Sequence, residues 1–217
     1  MTVAVVVFPG SNCEHDVVHA LRLLGGDAEL VWHRDTDLSG ADAVVLPGGF
    51  AHGDALRTGA IARFSPIMDP VRTMAEAGSP VLGICNGFQI LCEAGLLSGA
   101  FIANRDLAFI CRMVEVEVTD TNTALTAAAT VGQRLRIPLN SYEGNWVDPA
   151  GNGRVAVRYV DDPNGSQDRA AAVANDVGNV VGVMPHPERA TEEILGSIDG
   201  RILFESFLAS IPAAARA

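Results

Sequence analysis

Three side chains in this sequence could together carry out nucleophilic chemistry on a carbonyl carbon: Cys85, His186 and Glu188. Cys85 lies in the stretch Val81, Leu82, Gly83, Ile84, Cys85, Asn86, Gly87, Phe88, Gln89, where Gly83 and Gly87 flank it in a G-x-C-x-G pattern. This is the thiol counterpart of the G-x-S-x-G elbow, in which a strand turns sharply into a helix and the middle side chain is pushed outward. The short apolar run after Pro80 reads as a buried strand and the amphipathic run from Phe88 to Leu97 as a helix, so Cys85 falls at the turn between them. A helix N-terminus favours thiolate and lowers a thiol pKa, and the Asn86 N–H is available as an oxyanion donor. Taken alone, the pattern fits a tight turn around a buried structural cysteine equally well.

The second half of the chemistry lies in Val180 to Glu188, read as Val, Val, Gly, Val, Met, Pro, His, Pro, Glu. A buried strand here runs into a proline-stiffened extension, and His186 and Glu188, two apart in extended chain, project to the same side. The carboxylate can then hold one imidazole nitrogen while the other faces a nucleophile. The plainer alternative is a capped strand end, with Glu188 leading into a helix from about Thr191. Cysteine elbow and His-x-Glu together make a complete set of nucleophile, base and orienting group. Gly48 and Gly49 follow the apolar run Ala43 to Leu46. At the C-terminal end of a parallel strand they could supply a second oxyanion donor, or serve only as a flexible turn. Gln89, one turn beyond the cysteine, can point back to the mouth of the pocket.

The elements that must position these groups are legible as alternation. Strands are expected at Val3 to Phe8, Ala28 to Trp32 and Ala43 to Leu46, and helices from the Ser11/Glu14 capping box to about Leu24 and from Ile67 to Ala77. Residues 51 to 64, with His52, Asp54, Arg57 and Arg63 among glycines, read as a functional loop. Further strands are expected at Val114 to Val118, Leu135 to Pro138 and Arg154 to Val160, with Thr119 to Thr130 as loop or a short surface helix and the alanine-rich 213–217 fraying. The fold expected is α/β: one three-layer domain over residues 1–217, with a mainly parallel central sheet and helices on both faces.

Composition narrows the function. With 48% hydrophobic and 19% charged residues the chain is globular, and a formal net charge of -11 disfavours a generic role on nucleic acid or an anionic membrane. The apolar opening has no basic flank, so it reads as a first strand and not a signal peptide; no apolar run reaches spanning length. The four cysteines, Cys13, Cys85, Cys92 and Cys111, are expected as free thiols in a cytoplasmic protein. His15 and His19 imitate a zinc motif, but Asp16 replaces the usual Glu and no third ligand is evident, so no metal is expected.

With these residues in hand, the chain resembles the class I glutamine amidotransferases of flavodoxin-like fold, whose triad is Cys, His and Glu in this order. Within that family it is similar to the glutaminase subunits of phosphoribosylformylglycinamidine synthases. The resemblance rests on PGSNCEHD at 9–16, LPGGFAHGDALRTGAIARF at 46–64, VLGICNGFQIL at 81–91, NRDLAFICR at 104–112, PNGS at 163–166 and GVMPHPERA at 182–190. It implies that Cys85 attacks the amide of L-glutamine, that His186 protonates the leaving ammonia and that Glu188 orients His186. It also implies oxyanion donors at Gly49 and Asn86, a substrate-seating role for Gln89, and hydrolysis of a γ-glutamyl thioester by water. Ammonia would pass to a large ATP-dependent synthase subunit, with a small third subunit, converting formylglycinamide ribonucleotide to its amidine in purine biosynthesis. ATP and magnesium are then expected on the partner and no cofactor in this chain, with the 51–64 loop as a docking surface. Where the family commonly has His-Gly-Glu-Gly, this chain has Ser141, Tyr142, Glu143, Gly144. Two rivals stay open: a cysteine-elbow hydrolase acting alone on another amide, and a catalytically silent regulatory subunit.

Overall fold

The computed structural model describes residues 1–38 and 40–212; the expected fraying of 213–217 lies outside the described residues. Among the described residues a nine-stranded sheet forms the centre of the molecule. Its centre is parallel: β2 (Asp27–Trp32), β1 (Thr2–Val7), β3 (Ala43–Leu46), β4 (Val81–Ile84) and β11 (Val180–Val183). An antiparallel extension follows through β10 (Ala170–Ala174), β9 (Arg154–Tyr159), β6 (Ile110–Val118) and β7 (Arg134–Ser141). A small separate ribbon joins β5 (Ala100–Ile102) to β8 (Asn145–Val147).

The central strands β3, β4 and β11 are buried at every residue, which is why they read as unbroken apolar runs and not as alternation. Helix α1 (Glu14–Leu23) connects β1 to β2, and α2 (Met68–Glu76) connects β3 to β4. The two crossovers travel in opposite directions along the sheet, so right-handed connections set the two helices on opposite faces. The strand order therefore reverses at β1 and β3, the position where open α/β sheets leave a crevice beyond their strand ends. Helix α3 (Asn86–Glu93) packs on β3, β4 and β11, while α4 (Arg201–Ser210) packs against α1.

Several boundaries differ from the sequence reading. The Ser11/Glu14 capping box does not form, because Ser11 Oγ accepts from the Phe8 N–H at 3.0 Å and closes the turn after β1 instead; Cys13 takes the N-cap position without a side-chain cap. Helix α3 ends at Glu93, not Leu97, where Ala94 and Gly95 turn back on the Ile90 and Cys92 carbonyls. No α-helix begins at Thr191; the chain passes through a 3-10 turn at Glu193–Leu195, and the terminal helix starts at Arg201. Among the described residues no helix is long and apolar enough to cross a membrane.

Close packing of α3 on the sheet depends on Gly182 in β11. A Cβ there would collide with the buried Phe88 ring. Gly182→Ala should therefore destabilise the protein by about 1–3 kcal/mol, the range for overpacking a dense core, measured by chemical denaturation. An unchanged midpoint would mean that Phe88 repacks freely and that the contact does not hold α3 in place.

Candidate active site

Four neighbouring parallel strands deliver their C-terminal ends to one cavity of about 460 Å³. Asn12 and Cys13 follow β1, Gly49, Phe50 and Asp54 follow β3, Cys85 and Gln89 follow β4, and His186 and Arg189 follow β11. The far edge of the sheet curls back to complete it. Pro138 of β7 accepts from the His186 N–H at 2.7 Å, and Asn140 to Glu143 line the cavity.

The elbow is a steric construction. Cys85 adopts φ 49° and ψ −106°, a conformation that costs a non-glycine residue roughly 1–3 kcal/mol and persists only where its surroundings enforce it. Its N–H donates to Val183 O at 2.8 Å, and its carbonyl accepts from the Phe88 and Gln89 N–H groups at 3.0 and 3.2 Å, so both ends of the residue are pinned. A Cβ on Gly83 would stand 2.6 Å from the Gly87 carbonyl oxygen, and one on Gly87 would strike the Leu46 carbonyl. Both glycines are thus required for the helix to begin against the strands. Asn86, the first residue of α3, has an N–H at a position where an α-helix provides no internal acceptor. The Cys85 thiol rests 3.5 Å from the Asn140 carbonyl.

His186 and Glu188 meet, although not as the extended pair expected. Pro187 opens a 3-10 turn over Pro187–Arg189, its fixed φ suiting the first helical position, and the turn swings Glu188 Oε1 to 2.6 Å from His186 Nδ1. The two side chains are 3% and 0% exposed. Nε2 is buried and has no hydrogen-bond partner among the described residues. Burial works to lower the His186 pKa, but the Glu188 carboxylate, then Cys85 and Cys13, outweigh it and hold the imidazole well above the ordinary histidine range. Removing water from an ion pair costs more than a packed apolar pair would, so its presence here points to chemistry and not to stability.

Gly48 and Gly49 divide their tasks. A Cβ on Gly48 would stand 2.8 Å from His186 Cε1 and 3.1 Å from Cys13 Sγ, so this glycine makes room for the imidazole. Gly49 lines the cavity, and the bridge from Ser11 to Gly49 uses the Gly10, Asn12, Gly48 and Phe50 backbone, leaving the Gly49 N–H out of that pairing. Gln89 is tied at both ends by protein: Oε1 accepts from Asn86 Nδ2 at 2.9 Å, and Nε2 donates to the Glu143 carbonyl at 2.6 Å.

The site also holds residues to which the sequence reading gave no role. Cys13 is a second buried thiol, with Sγ 3.9 Å from His186 Nδ1. It donates to Asn12 Oδ1 at 3.1 Å and accepts from Arg189 Nη2 at 3.2 Å, and burial raises its pKa. Cys13 is therefore occupied as well as desolvated, beside an imidazole nitrogen already taken by Glu188. Cys13, His186 and Glu188 offer ligand atoms within 4.8 Å of one another, but the short His186–Glu188 hydrogen bond already uses two of them. His15 lies 3.8 Å from Glu14, and His19 pairs with Glu192 at 2.8 Å.

The segment from Asn140 to Gly144 is held from behind. Asn104 Nδ2 donates to the Ser141 carbonyl at 2.8 Å while its Oδ1 accepts from the Gly144 N–H at 3.0 Å, and Asn164 Nδ2 donates to the Gly144 carbonyl at 2.7 Å. Ser141 is buried with Oγ unpartnered among the described residues, and Tyr142 is half exposed at the cavity. The 51–64 loop presents Leu56 and Phe64, 90% and 74% exposed, and is fastened by Arg57 to Glu93 through two 2.6 Å hydrogen bonds.

The chain matches the CobB/CobQ-like glutamine amidotransferase domain over residues 1–201. It is 51% identical over 216 residues to the phosphoribosylformylglycinamidine synthase subunit PurQ of Rubrobacter xylanophilus, covering 96% of this chain and 98% of that protein. It is 50% identical to the subunit of the same name from Synechococcus elongatus, over 98% of this chain and 100% of that protein. Among solved structures, PurLQS from Thermotoga maritima superposes with a TM-score of 0.92 at 44% identity, covering 96% of this chain and 97% of that one. A putative GMP synthase subunit from Thermoplasma acidophilum, at 19% identity and TM-score 0.71 over 97% of this chain and 94% of that one, shares the fold.

The raised pKa of His186 has a signed consequence. The Glu188 carboxylate opposes loss of the His186 proton and so moves that loss to higher pH. Glu188→Gln removes the carboxylate that holds the charge and leaves burial to lower the pKa. The alkaline limb of the kcat/KM profile should then move to lower pH than in the wild type. A limb that stays in place would mean that His186 is not the group titrating there.

Proposed function

This chain belongs to the CobB/CobQ-like glutamine amidotransferase family, and we propose the following division of labour within its site. The protein is a glutamine amidotransferase, acting as the glutaminase subunit of a phosphoribosylformylglycinamidine synthase in purine biosynthesis. Cys85 attacks the side-chain amide carbon of L-glutamine. The N–H groups of Gly49 and Asn86 receive the oxyanion as it forms, where fixed donors in a dry site are most effective. His186 passes a proton to the departing ammonia, and Glu188 fixes the ring and balances its charge. Water, activated by the same histidine, then cleaves the γ-glutamyl thioester to glutamate.

The observation that carries this reading is the pairing of a buried His186–Glu188 hydrogen bond with a strained, pinned Cys85 facing the same cavity. Structural cysteines need no backbone strain, so its presence supports a nucleophile. The ammonia is delivered to a large synthase subunit, assisted by a small third subunit, which uses it to convert formylglycinamide ribonucleotide to the amidine. The name of the Thermotoga relative's structure, PurLQS, supports such an assembly. Leu56 and Phe64, exposed on the 51–64 loop that also supplies Asp54 and Thr58 to the cavity, suit a docking surface. ATP and magnesium belong to the partner, and the four free cysteines suit a reducing cytoplasm.

Cys85→Ala in the assembled synthase should lower glutamine-dependent amidine formation by roughly a thousandfold or more, while ammonium salt still supports the reaction. Loss of both activities would assign Cys85 a structural role at the interface, and retention of both would remove it from the chemistry.

A further inference from the structure

We propose that Asp54 and Glu143 form the subsite that grips the α-ammonium of the substrate, so that the cavity selects a free amino acid over an amide within a peptide or on an acylated amino acid. The inference rests on the reading of L-glutamine as substrate and deepens it.

Both residues line the same cavity as Cys85 and as His186, whose buried Nε2 is unpartnered among the described residues. They come from different parts of the chain: Asp54 from the loop after β3, Glu143 from the turn after β7. Among the described residues neither carboxylate has an ion-pair partner. The guanidinium that lines the cavity, Arg189, is committed to Asp16 and Cys13. What the carboxylates do have are neutral supports. Thr58 Oγ1 donates to Glu143 Oε2 at 2.8 Å, and Asn86 Nδ2 approaches Asp54 Oδ1 at 3.4 Å. Each holds its carboxylate in place and leaves the other oxygen for a ligand.

The electrostatics of this arrangement favour a cation. Asp54 is pushed up to about 6, first by burial and then by the charge of Glu143. Bringing a carboxylate out of water beside a second one is costly, and a positive group between them offsets both effects. An ammonium has three N–H donors and no acceptor, which matches two acceptor-only groups. Gln89 and Asn104 then gain a function from their hydrogen bonds. Gln89 fastens the Glu143 backbone to the helix that begins after Cys85, and Asn104 fixes the segment on either side, so the distance from nucleophile to ammonium subsite is set by protein struts. Glutamine carries its α-ammonium at a fixed number of bonds from the reacting amide, so such a ruler would seat the amide carbon at Cys85.

The test compares L-glutamine with glutaramate, the same chain without the amino group, in the synthase complex. The wild type should favour L-glutamine in kcat/KM by about tenfold or more, the value of a charge-assisted hydrogen bond. In Asp54→Asn and Glu143→Gln the preference should collapse toward unity, through a rise in KM for L-glutamine larger than the fall in kcat. A wild type that does not distinguish the two compounds would overturn the proposal without any variant, as would variants that lower both substrates equally. If the wild-type complex released no ammonia from L-glutamine at all while turning over another amide, the underlying assignment would fail instead, and this subsite with it.

Discussion

The site depends on one steric constraint, the near-contact of helix α3 with the strands beneath it. A chain that must reverse from strand to helix within a single residue can do so only if the residues on either side leave no bulk in the way. Gly83 and Gly87 meet each other and the Leu46 carbonyl at distances no Cβ tolerates. That contact forces Cys85 into its positive-φ conformation, directs its side chain into the cavity, and leaves the first N–H of α3 without an acceptor in its own helix. Gly182 repeats the device one strand over, admitting Phe88 so that the helix lies flat across β11, from whose end His186 emerges.

Around this contact the sheet behaves as a positioning frame. The strands β1, β3, β4 and β11 are neighbours and parallel, so their C-terminal ends open to the same side, and each delivers residues to one cavity: Cys13, Gly49, Cys85 and His186. The antiparallel extension is not merely appended. Its edge strand β7 carries Pro138, which lacks an N–H and is tolerated at an edge, and that residue's carbonyl anchors the His186 backbone. Two thiols flank one imidazole in consequence. Cys13 is desolvated, hydrogen-bonded and set beside the nitrogen that Glu188 already holds, whereas Cys85 is strained and faces the cavity. This difference in surroundings supports Cys85 as the proposed nucleophile.

How much of this the residues announce depends on whether the relevant constraint is local. The buried parallel strands are plain because burial on both faces demands unbroken apolar runs, and the elbow is plain because its glycines are required within five residues. The His-x-Glu spacing anticipated that His186 and Glu188 meet, while the backbone between them differed: the proline that suggested stiffness initiates a helical turn. Strand β10, Ala170–Ala174, is composed largely of helix-favouring alanine and becomes a strand only because β9 and β11 pair with it on both sides. The Ser11 capping box failed for a similar reason, the hydroxyl finding a nearer backbone N–H. Cys13, Asn104 and Asn164 act on residues distant in sequence, through contacts that no local pattern records.

In the proposed mechanism the strained thiol, and not Cys13, forms the covalent intermediate. The most direct measurement is mass-spectrometric mapping of the assembled enzyme after incubation with an electrophilic glutamine analogue such as 6-diazo-5-oxo-norleucine. A single adduct should form on the peptide containing Cys85 and be suppressed by excess L-glutamine. An adduct on Cys13 with Cys85 unmodified would contradict it, because the elbow would then be a structural turn and the imidazole would serve the other sulfur.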